Sequence, residues 1–124
     1  MTLGPIAAVR IFIPDVGAVR HFYRDQLGLD EAYADDSVLV FRTGSADLIV
    51  EAAAPEDTEE GPLIGRFVGV SFAVPDARAA HAALKAKGVT FEGEPKEQDW
   101  GGVLAHFRDP AGNVLTLVEM PSHG

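Results

Sequence analysis

The chain has 124 residues, 47% of them hydrophobic, which suits one domain with a packed core. Ten Lys and Arg against nineteen Asp and Glu leave a formal charge of −9, which argues against nucleic acid or an anionic membrane as partner. The lack of cysteine excludes disulfides, zinc–thiolate centres and thiol catalysis; no apolar run nears the roughly 18 residues of a membrane span, and no signal-peptide core opens the chain, so a cytoplasmic protein is predicted.

The first predicted strand has Val9, Ile11 and Ile13 alternating with Ala8, Arg10 and Phe12, the period-two pattern of a half-buried strand. Asp15 then stands at a helix N-cap, Val16, Val19, Phe22, Tyr23 and Leu27 recur at helical spacing, and Gly28 supplies a left-handed C′ position. Strands are predicted at about 30–34, 37–42 and 46–52, followed by an acidic, turn-rich linker at about 55–65.

A second copy of this unit follows. Gly69 to Asp76 matches Ala8 to Asp15 in pattern, Asp76 caps a helix whose inner stripe is Ala77, Ala80 and Leu84, and Gly88 ends it. Weak strand character at about 89–92 and strong strands at about 102–108 and 113–119 complete the unit, with Asp109-Pro110-Ala111-Gly112-Asn113 as a hairpin turn. The offset between copies is 61 residues at Asp15 and Asp76 but 68 at Glu51 and Glu119, so the second copy carries an insertion, placed at Glu92 to Gly102. One domain over 1–124 is expected, with unit one at about 5–54 and unit two at about 66–121.

Two strand–helix–three-strand units, a Pro-Asp after each first strand, His21-Phe22-Tyr23 then Leu27-Gly28-Leu29 at the first helix end, and the Asp109–Asn113 turn together resemble the vicinal oxygen chelate superfamily. That superfamily includes glyoxalase I, bleomycin-resistance proteins and extradiol dioxygenases. The resemblance covers nearly the whole chain. It implies an α+β fold of two tandem βαβββ units, a curved mixed sheet around a cavity with helices outside. On that fold Ala8, Arg10 and Phe12, and likewise Gly69, Ser71 and Ala73, face the cavity.

The resemblance also implies where a divalent metal would be held. The four positions fall on Ala8, on Ile49 or Leu48, on Gly69 and on Thr116, with Glu51 reached only by a two-residue slip of strand register. These are poor donors for a divalent ion, so no cofactor is predicted. Arg10 reads either as a ligand contact or as a partner of Glu51 or Asp47. Glu51 and Glu119 are taken to close their strands at equivalent points, with Glu119 turned away from Thr116. Pairing of Arg108 with Asn113 would put His106 opposite Leu115, away from Thr116. His21 and His81 are expected at the helix surfaces, with His123 in the tail. Trp100 either flanks the cavity mouth or anchors its loop.

The expected function is a metal-independent small-molecule binder, a drug or metabolite being held by Arg10, Phe12, Ile49, Glu51, Ser71, Trp100 and Thr116. Glu51 and His106 are the candidates for any general base. The alternative is a divalent-metal lyase of the glyoxalase I kind, or a dioxygenase. The resemblance further implies a homodimer.

Overall fold

In the computed structural model residues 1–121 are described, and the chain divides into two compact units, Met1–Arg66 and a second that begins at Phe67. No helix among the described residues is long and apolar enough to cross a membrane.

The first unit starts with β1 (Ala8–Ile13), whose chain turns into α1 (Val16–His21) at Asp15. Asp15 is extended, at φ −140° and ψ 114°, and its carboxylate accepts a 3.0 Å hydrogen bond from the Gly17 N–H, which supplies one of the acceptors a helix start lacks. The helix runs into a π-helical turn, Phe22–Gln26, that the periodicity did not anticipate, closed by the Leu27 N–H on the Phe22 carbonyl. In this wider turn the neighbours Phe22 and Tyr23 are both buried, edge to face with ring centroids 5.0 Å apart. Gly28, at φ +71°, takes the left-handed position that ends the helix.

Three strands follow: β2 (Asp30–Ala34), β3 (Val38–Arg42) and β4 (Asp47–Ala52). They form a mixed sheet in the order β1-β4-β3-β2, with β1 parallel to β4 and the other pairs antiparallel. One sheet face carries Ile11, Ile13, Leu39, Phe41, Leu48 and Val50, all buried, as are Val16, Val19, Phe22 and Tyr23 of the helical segment. This is the unit's hydrophobic core, and burying each such side chain is worth about 1.5–3 kcal/mol.

In the second unit β5 (Phe67–Ala73) leads through Asp76 into α2 (Ala77–Ala86). The Asp76 carboxylate accepts from the Arg78 and Ala79 N–H groups, each at 3.1 Å. Gly88 again has positive φ, +92°. Then come β6 (Thr90–Phe91), β7 (Lys96–Glu97), β8 (Val103–Arg108) and β9 (Val114–Glu119). The sheet order is β5-β9-β8-β6, β5 lies parallel to β9, and β7 also pairs with β8. The expected insertion at 92–102 therefore contains a short strand of its own. His81 is a correction to the sequence reading: it is buried, 6% exposed, with its ring 4.3 Å from that of Phe91. It lies four residues after Ala77 and three before Leu84, so it shares the inner stripe of α2. His123 lies outside the described residues.

Candidate functional site

Each sheet has one face turned to its helix and one turned away, and the chemistry-bearing side chains collect on the faces turned away. In the first unit β1 pairs Ala8 with Asp47, Arg10 with Ile49 and Phe12 with Glu51, while β3 sets Val38 against Glu51 and Val40 against Ile49. Because paired residues share a face, Arg10, Phe12, Val40, Ile49 and Glu51 form one surface. The strand alternation read from the sequence for Arg10 and Phe12 agrees with this.

Arg10 forks onto Glu51: its Nε donates to Oε2 and its Nη2 donates to Oε1 at 3.1 Å. The pair links adjacent strands diagonally. The guanidinium carbon also lies 5.2 Å from the centre of the Phe12 ring, within cation–π range. The hydrogen bond that Arg10 donates to Glu51, and the charge of that carboxylate, raise the Arg10 pKa above its ordinary value. Of the two partners anticipated for Arg10, Glu51 is the one it meets. With the Arg10 side chain 58% exposed, water screens the pair and it adds little stability.

The second unit departs from the sequence reading at three points. First, β8 pairs Arg108 with Val114 and His106 with Thr116, one residue away from the expected register. The cause is the turn. The Asp109 carboxylate accepts from the Ala111 and Asn113 N–H groups and from the Asn113 side-chain amide, and the Asp109 N–H donates to the Asn113 carbonyl. Asp109 thereby faces Asn113, and His106 shares a face with Thr116, its Nδ1 2.9 Å from Thr116 Oγ1.

Second, Glu51 and Glu119 are not equivalent. Phe12 lies opposite Glu51, but its counterpart Ala73 lies opposite Val118, so Glu119 points to the helix side, where its Oε1 accepts from the Ala77 N–H at 2.8 Å. By the same correspondence Thr116 matches Ile49 rather than Leu48. Third, β5 is irregular: Ser71 pairs with Thr116, but Phe67 rather than Gly69 lies opposite Val114. Gly69 has φ +79°, which favours glycine, and the Phe67 ring lies over it, 3.7 Å from where a Cβ would sit.

Trp100 is 51% exposed, with its ring against Gly102, where a Cβ would fall 2.0 Å from a ring carbon. His21 is exposed and bonds Asp25, Nδ1 to Oδ2 at 2.9 Å. A cavity of about 450 Å³ opens near the start of α1 and the β2–β3 turn, lined by Asp15, Arg20, Asp35, Asp36 and Leu39. The sequence reading named no candidate there. Leu39 lies on the helix side, so this cavity is away from Arg10 and Glu51, and Arg20 is already paired with Glu31 at 2.7 Å.

Two βαβββ units, each with a mixed sheet and a helix packed on one face of it, define an α+β protein of the glyoxalase/bleomycin-resistance fold. The sequence pattern of the Glyoxalase/Bleomycin resistance protein/Dioxygenase superfamily matches residues 5–117, and the chain belongs to that superfamily. It is 28% identical over 123 residues to the uncharacterized protein YraH of Bacillus subtilis (strain 168), covering 90% of this chain and 95% of that one. A crystal structure of a superfamily member from Sphaerobacter thermophilus DSM 20745 is similar with a TM-score of 0.80 and 26% identity, covering 96% of this chain and 99% of that one. TnmS3, an antibiotic binding protein from Streptomyces sp. CB03234, is similar with a TM-score of 0.77 and 25% identity, covering 98% of this chain and 99% of that one.

The divalent-metal site that the superfamily implies does not fit the residues present. Ala8 and Ile49 end in hydrocarbon, Gly69 has no side chain and lies in the irregular part of β5, and the Thr116 hydroxyl is bonded to His106. Among the described residues no three His, Asp or Glu side chains come together as a metal-binding group.

Proposed function

We propose that the protein is a metal-independent binder of small molecules, taking up a flat, amphipathic guest with an anionic or carbonyl-rich edge. The observation that carries this reading is the face of the first unit turned away from its helix, where half-buried Val40 and Ile49 offer apolar contact beside the Arg10 guanidinium, itself set against the buried Phe12 ring. Glu51 holds that guanidinium in place and competes with any ligand anion for it. The second unit carries its own polar and aromatic groups on the sheet face turned away from α2, with Ser71 opposite Thr116 and Thr116 opposite His106. The likeness to TnmS3 supports the same reading. A divalent-metal lyase or dioxygenase would need donors at Ala8, Ile49, Gly69 and Thr116, which these side chains do not supply. A homodimer is part of the proposal, to be read by light scattering.

Anthraquinone-2-sulfonate, a planar anion with ring carbonyls, is a suitable probe. Protein purified without chelator is expected to bind it with the same affinity before and after EDTA treatment. Elemental analysis should find less than stoichiometric Ni, Zn, Fe or Mn. A stoichiometric metal, or binding lost with EDTA, overturns the proposal.

A further inference from the structure

The geometry points to His106 as the residue that selects for a ring carbonyl: its Nε2–H, held in that tautomer by Thr116, donates to the oxygen of a planar aromatic ligand resting against Phe67. This rests on the small-molecule reading above and names the class of ligand for the second unit's open face. Thr116 is only 2% exposed. Its hydroxyl makes one hydrogen bond among the described residues, to His106 Nδ1 at 2.9 Å. A buried hydroxyl needs an acceptor for its one proton, and Nδ1 is the only partner of this hydroxyl among the described residues; with Thr116 donating to Nδ1, the neutral ring carries its proton on Nε2.

That leaves Nε2–H as a donor with no partner among the described residues. On the same face Arg108 is occupied by Glu92 and by the Gly112 carbonyl. Phe67 stands beside the imidazole, edge to face with centroids 6.1 Å apart, and is 63% exposed. The irregularity at Gly69 is what brings it there, since Phe67 takes the place opposite Val114. A ring surface next to a lone N–H donor suits a planar ligand with an acceptor on its edge, and disfavours one whose edge carries only C–H.

The test compares anthraquinone-2-sulfonate with anthracene-2-sulfonate, which has the same charge and nearly the same shape but no ring carbonyls. The wild-type protein should bind the quinone about five-fold more tightly, the effect of roughly one neutral hydrogen bond. His106→Phe should remove that preference while still binding both compounds, and Thr116→Val should reduce it with His106 still present. Two-bond nitrogen-15 NMR correlations of the ligand-free protein should show the His106 proton on Nε2. If both compounds bind wild type equally, or the proton is found on Nδ1, this inference fails and the small-molecule reading stands. If neither compound binds, the small-molecule reading fails for this ligand class and takes the selectivity with it.

Discussion

Glu119 separates a structural carboxylate from a functional one, and replacing it with Ala should cost stability without affecting ligand binding. The Ala77 N–H, at the first turn of α2, donates to Glu119 Oε1 at 2.8 Å, and Ala77 is fully buried. Removing the carboxylate leaves that N–H without its acceptor, a loss of about 1–3 kcal/mol. Gln keeps an oxygen at the same place and gives up mainly the favourable charge at a helix N-terminus, about 0.3–1 kcal/mol. In a chain of this length each kcal/mol moves the melting temperature by roughly 3–5 °C. Glu119→Ala should therefore lower Tm by about 8 °C and Glu119→Gln by about 2 °C, both read by calorimetry. Affinity for anthraquinone-2-sulfonate should be unchanged in each, because Glu119 faces the helix. An unchanged Tm for Glu119→Ala would show that the helix start is satisfied in another way. Equal losses for Ala and Gln would show that charge, and not the hydrogen bond, carries the effect.

On the open face of the first unit, Arg10→Ala should weaken anthraquinone-2-sulfonate about ten-fold, while Glu51→Gln frees the guanidinium and should tighten it about three-fold in calorimetry at low salt; an unchanged affinity in Arg10→Ala would reduce Arg10 to a partner of Glu51. Gly28→Val and Gly88→Val should each cost about 1–2 kcal/mol in urea unfolding. At Gly28 nothing lies within 4 Å of an added Cβ, so the cost there is backbone strain at φ +71°, and unshifted midpoints for both would contradict the left-handed helix ends. The Arg24 hydrogen bond, with that of His21, pulls the Asp25 carboxyl from about 3.8 to about 2. This folded-state pKa is depressed, so the contribution of Asp25 is present above the ordinary value and is lost as pH falls toward about 2. Carbon-13 titration of the carboxyl should find that midpoint, Arg24→Ala should raise it, and an ordinary midpoint in the wild type would refute the pairing.

What the sequence determined by itself was the part written in local periodicity. Asp15 and Asp76 mark helix starts because a short carboxylate there meets the first free N–H groups, and Gly28 and Gly88 mark helix ends because the chain turns left-handed at those points. The alternation of β1 was enough to place Arg10 and Phe12 on the face away from the helix, since consecutive side chains of a strand point to opposite sides. The tertiary structure alone decided which strand positions lie opposite one another. A slip of one residue exchanges the two faces of a strand, so local pattern cannot tell His106 opposite Leu115 from His106 opposite Thr116. That choice was made by the Asp109 carboxylate, which organises the turn around Asn113. The parallel pairs join residues 39 positions apart in β1–β4 and 45 to 47 apart in β5–β9, and only their registers separate Glu51, on the open face, from Glu119, at a helix N-terminus. The same holds for Gly69: its positive φ lets Phe67 take the place beside His106, and that depends on how β5 meets β9 rather than on the count of residues from Asp76.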